Sequence, residues 1–144
     1  MPRRRLSLLA LPLAVTLGLA TQACNRDPAS KVQGRWGVDV EAMVTPENVG
    51  DRLKGLADDA AKAEMMKIRD EASRILLDVG KDHLVVDVGV DRQEVAYTFR
   101  PGENGRFFLD TDDGKGAKDA LEGSLDGDRL RLNWGGTELA LVRR

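Results

Sequence analysis

Two residue types that build reactive sites are nearly missing. The 144-residue chain holds one cysteine, Cys24, and one histidine, His83. A single thiol cannot close a disulfide within the chain, and a lone histidine cannot assemble a His-rich zinc site. No glycine-rich phosphate loop is present either, because "GKGAKD" and "GVDVEAMV" lack the required glycine spacing between strand and helix. Ser73 and Ser124 are the serines that a His83 dyad would have to recruit, and neither sits in nucleophile-elbow spacing. An exposed, turn-flanking role is expected for His83, and no metal or cofactor is expected.

Long apolar runs are scarce as well. The one candidate, Leu6–Ala20, is shorter than the ~18–20 apolar residues that a spanning helix needs, and it follows Arg3, Arg4 and Arg5. A positive start, an apolar middle and small residues before Cys24 form the three-part layout of an export signal over residues 1–23. Its removal leaves 121 residues, enough for one modest core. Losing those three arginines leaves 19 of the 22 basic residues against all 24 acidic ones, a net charge of −5. Such a surface argues against nucleic acid as a partner and against a polybasic grip on anionic lipid. If the protein sits on a membrane, a covalent anchor must hold it.

Cys24 stands where such an anchor belongs. Ala23 precedes it, and "NRDPAS" follows as a polar stretch, so residues 24–32 are expected to form a flexible tether. Here the chain resembles the signal peptides of bacterial lipoproteins. The resemblance implies that Cys24 receives a diacylglyceryl group and becomes the acylated N-terminus. Thr21 and Gln22 depart from the Leu and Ala or Ser preferred at those positions, so ordinary signal cleavage after Ala23 or Ala20 stands as the competing expectation. Asn25, in place of Asp, points within that resemblance to the outer membrane, facing the periplasm.

Residues 33–144 are expected to form one α+β domain. Alternation at Trp36, Val38 and Val40 reads as a first strand. "TPEN" then opens a helix, with Thr45 as N-cap and Pro46 at the first helical position. Apolar spacing through Val49, Leu53, Leu56, Ala60, Ala63, Ile68, Ala72 and Ile75 predicts one long helix over 46–73 with a core-facing stripe. Gly55 weakens it by about 1 kcal/mol, too little to break it if that stripe is buried. Beyond it, "RILLDV", "HLVVDVGV", "EVAYTFR", "GRFFLDT", "ALEGSL", "RLRLNW" and "ELALVRR" alternate with short Gly-, Asp- and Pro-containing turns. Connections this short exclude parallel crossovers, so an antiparallel meander of seven to eight strands follows. Its edges call for closure into a small barrel, with a curved half-barrel as the second choice.

Gly34 and Trp36 in the first strand, with Arg143 near the end of the last, are similar to the lipocalin and lipocalin-like pattern. Small bacterial lipoproteins with a "GxWxxD" start and an "LxR" end look closer still, matched here by Gly34, Trp36 and Asp39, then Leu141 and Arg143. The resemblance implies a tryptophan plugging the barrel floor under an arginine.

Asp110 and Asp112 start like a calcium loop, but Lys115 and Leu121 occupy its glycine and glutamate positions, so a solvated hairpin is expected. Paired carboxylates are plentiful, yet none can be named as a converging pair. The expectation is therefore a non-enzymatic binding or envelope-structural module whose partner is a small apolar ligand or an envelope protein. The rival is a secreted hydrolase or lyase with a carboxylate site.

Overall fold

A computed structural model describes residues 27–144. The expected signal segment and Cys24 lie outside the described residues. Eight strands follow one another around a closed antiparallel barrel: β1 Gly34–Val38, β2 Leu76–Val79, β3 His83–Asp87, β4 Arg92–Pro101, β5 Arg106–Asp112, β6 Lys118–Asp126, β7 Arg129–Trp134 and β8 Thr137–Arg143. Closure comes from β1 pairing with β8, with Trp36 opposite Arg143, Gly37 opposite Val142 and Val38 opposite Leu141. No strand of the sheet is left with a free edge, which resolves the choice between barrel and half-barrel. The "LLDV" of "RILLDV" forms β2, so all eight of the expected strands are present.

Alternation sorts the side chains. Trp36, Leu77, Leu84, Tyr97, Leu109, Leu121, Leu132 and Leu141 point inward, one from each strand, and all are buried. The middle of the barrel is filled by these side chains, as an eight-stranded barrel permits. Outside, Arg35–Asp78 (2.9 Å), Arg100–Asp110 (2.9 Å) and Arg131–Glu138 (3.0 Å) bridge neighbouring strands. Being exposed to solvent, these pairs add little to stability.

The strand order gives the barrel two distinct ends. At one lie the turns 80–82, 102–105 and 127–128, the C-terminus, and a short helix α1, Pro28–Val32. At the other lie the turns 88–91, 113–117 and 135–136 and three helices: α2 Val40–Met43, α3 Pro46–Leu53 and α4 Asp58–Ser73.

Three expectations need correction. Residues 28–32, taken as part of the tether, form α1: the Asp27 carboxylate accepts the Ala29 N–H, Pro28 fits the first turn, and Val32 is buried in the core. Val40, taken as part of the first strand, instead begins α2, because the Asp39 carboxylate caps the Ala42 N–H. The single long helix over 46–73 is two helices. Thr45 and Pro46 start α3 as expected, but the chain breaks at Lys54–Ala57, where Gly55 takes a φ of +80°. Its stripe is not buried throughout: Leu56 is 43% exposed, and Ala60 and Ala63 face solvent. With little burial to offset it, the glycine's conformational freedom ends the helix. Only the later part of the stripe reaches the core, through Ile68, Ala72 and Ile75.

Candidate functional site

Gly34, Trp36 and Arg143 meet at the α1 end. Trp36 is fully buried, and the Arg143 guanidinium carbon lies 4.3 Å from the centroid of its ring. The same guanidinium donates to the carbonyls of Lys31 (2.7 Å) and Gln33 (3.1 Å), while the Trp36 indole N–H donates to the Val32 carbonyl (2.8 Å). These are the carbonyls at the end of α1, which the helix itself cannot satisfy. The tryptophan and arginine therefore fasten α1 across the barrel end as a plug. Gly34 leaves them room: its φ is +135°, and a Cβ there would fall within 3.0 Å of the Arg143 guanidinium. Asp39 does not join this cluster, since it caps α2, and Leu141 packs in the core.

Beside this plug the barrel end is not fully closed. A cleft of about 310 Å³ runs between α1 and the ends of β4, β5 and β6. Val32, Phe99, Phe107 and Leu125 line it, and Lys31 and Arg106 stand on its margin. Phe99 and Phe107 are stacked, with ring centroids 5.6 Å apart and planes at 23°. The cleft arises because Phe99, near the end of β4, and Phe107, at the start of β5, turn inward at this end of the barrel, while α1 brings only two apolar side chains, Pro28 and Val32, to meet them. A second opening of about 360 Å³ lies at the opposite end, between Val95, Leu121 and Trp134, with Thr111, Asp113 and Asp119 also around it. Both of those carboxylates accept backbone N–H bonds: Asp113 from Lys115 and Ala117, and Asp119 from Ala120.

The other candidates are dispersed. Asp110 is engaged by Arg100, and Asp112 accepts the Gly114 N–H in the hairpin turn. Among the described residues no three His, Cys, Asp or Glu side chains gather where a metal ion could be held. Ser73 donates to the Asp70 carbonyl on α4, Ser124 lies on β6, and the His83 ring is bonded to Asp82 rather than to either serine.

His83 is exposed, and its Nδ1 lies 2.7 Å from an Asp82 carboxylate oxygen. That hydrogen bond raises the His83 pKa from its ordinary value, and its partner effect lowers that of Asp82. Stabilisation from this pair is complete while His83 is protonated, below its unfolded-state pKa, and fades as pH rises through the raised folded-state value. Asp82→Asn is accordingly expected to lower the His83 midpoint in an NMR titration, toward the ordinary histidine value. An unchanged midpoint would show that Asp82 is not the cause.

Together these features define a class: a small closed antiparallel barrel, filled at its centre, plugged at one end by a short helix and carrying an apolar cleft beside the plug. No family model, curated protein or solved structure matches the chain.

Proposed function

We propose that this protein is an exported lipoprotein whose small lipocalin-like barrel serves as a non-enzymatic binding module for a small apolar ligand. The observation that carries the binding reading is the cleft walled by Phe99 and Phe107, since apolar concavities with few polar groups are the usual form of small-molecule sites. Its volume and aromatic lining favour a ligand over a purely structural role. A carboxylate-dependent enzyme would want an acid with a raised pKa. Glu47, Asp82 and Asp110, the carboxyl groups that shift, all shift down: Glu47 through its own backbone N–H and the Thr45 hydroxyl, the others through His83 and Arg100.

The anchoring reading rests on Cys24 and its flanks. In sequence Cys24 stands four residues before Pro28, the first residue of α1. An acylated Cys24 would hold the plugged end of the barrel, and the cleft with it, toward the bilayer. More than one acyl chain makes such attachment stable.

The test is expression of the full chain in a double-membrane bacterium. The expected mature protein begins at Cys24, has the added mass of its lipid and partitions into detergent; Cys24→Ser should move it to the aqueous phase. An unmodified Cys24, or an N-terminus elsewhere, overturns the anchor. For the binding module, the exported Cys24→Ser protein should bind a neutral naphthylamine dye saturably, and a dye response without saturation overturns that half of the reading.

A further inference from the structure

From the charge around the cleft we infer its ligand class: a single alkyl chain bearing an anionic head, such as a fatty carboxylate or an alkyl phosphate. This inference rests on the binding-module reading and narrows it. The residues lining the cleft include two cations, Lys31 and Arg106, and no carboxylate. Among the described residues Lys31 makes no ion pair, as its carbonyl rather than its ammonium is held by Arg143. Arg106 spends one Nη1 contact on Glu122, at 3.2 Å, and a guanidinium has five donors to offer. An alkyl tail lying against Phe99, Phe107, Val32 and Leu125 thus has its head delivered to two exposed cations at the margin. The size fits one chain: about 310 Å³ is at the lower bound of ordinary ligand sites, too small for a two-chain lipid.

The opposite opening does not offer this combination. It has one cation, Lys118, and two carboxylates, Asp113 and Asp119, which would repel an anionic head. The selected cleft also lies at the plugged end, where α1 follows Cys24 by four residues in the sequence, so an acylated Cys24 would bring it toward a bilayer that presents ligands of this class.

Binding is tested by calorimetry and NMR on the full chain exported as Cys24→Ser, in detergent-free buffer, with decanoate, decyl phosphate, decanol and decyltrimethylammonium as probes. Either anion should bind saturably and shift the resonances of Phe99, Phe107 and Leu125. Decanol is expected to bind about tenfold more weakly, the difference that one charge-assisted contact supplies, and the cationic probe more weakly again. Decanoate and decyl phosphate separate a carboxylate head from a phosphate head. Lys31→Glu, an exposed change that leaves the core untouched, should remove the preference for the anions, and Leu125→Trp should fill the cleft and abolish binding. Equal affinity for decanol and decanoate overturns the anionic class while leaving the binding module standing. Saturable binding that instead shifts Val95 and Trp134 overturns the choice of cleft. Failure of every alkyl probe to bind overturns both this inference and the reading on which it rests.

Discussion

Trp36→Ala is expected to lower the unfolding free energy by about 3–5 kcal/mol, the range for truncating a large buried aromatic side chain. Three losses coincide. Trp36 is the largest of the fully buried side chains, so its removal leaves a cavity against the plug. The Val32 carbonyl loses its indole donor, and the Arg143 guanidinium loses the ring face on which it rests. A domain of this size has about 5–15 kcal/mol in total, so the variant should unfold at a much lower urea concentration. Arg143→Gln should cost less, about 1–2 kcal/mol, because its site is partly open to water and the freed carbonyls can be rehydrated. Coupling between the two positions in a double-mutant cycle distinguishes a shared plug from two independent defects. Faster amide exchange at Val32 and Gln33 in either variant would show α1 coming loose. A Trp36→Ala loss below 1 kcal/mol would mean that the plug does not hold this end.

That prediction depends on long-range pairing, and the sequence shows such pairing unevenly. The strands were legible because inward Leu, Val and aromatic residues alternate with charged ones, and because the turns carry Gly, Asp, Asn or Pro for stated backbone reasons. Closure was legible only as one of two options, since the Trp36–Arg143 register joins opposite ends of the chain and no local pattern encodes it. The helix over 46–73 was misread for the complementary reason. Spacing says which residues share a face, not whether anything covers it, and Ala60 and Ala63 are uncovered. For α1 a signal did exist: Asp27 followed by Pro28 is an N-cap followed by a favoured first helical residue. With Val32 as its one large apolar residue, the five-residue segment is too short to show a periodicity beside that signal. The cleft was not legible at all, because alternation places Phe99 and Phe107 inside without revealing that α1 stops short of covering them.

Gly123→Ala tests that packing from the other side of the cleft. Gly123 lies on β6 directly opposite Phe107 on β5, with its missing side chain directed inward, and the Phe107 ring occupies the space. A Cβ there would fall within 3.0 Å of the ring and 3.1 Å from the Arg131 carbonyl, which the sheet holds fixed. The ring cannot turn aside without giving up its stacking on Phe99, so the methyl group should destabilise the barrel by about 1–3 kcal/mol through overpacking. Gly50→Ala is the matched control: nothing lies within 4 Å of its Cβ position on α3, and alanine there should be neutral or stabilising by up to about 1 kcal/mol. In the Gly123→Ala background, Phe107→Leu should recover part of the loss, because a smaller side chain relieves the overlap that the new methyl creates. Because the two positions are in direct contact, the pair should be non-additive. The displaced ring has one direction of relief, into the cleft, and folded Gly123→Ala should therefore bind a neutral naphthylamine dye more weakly than the parent does. Additive losses in urea unfolding, with dye binding unchanged, would separate Phe107 from the cleft and undo this account of how the barrel wall shapes it.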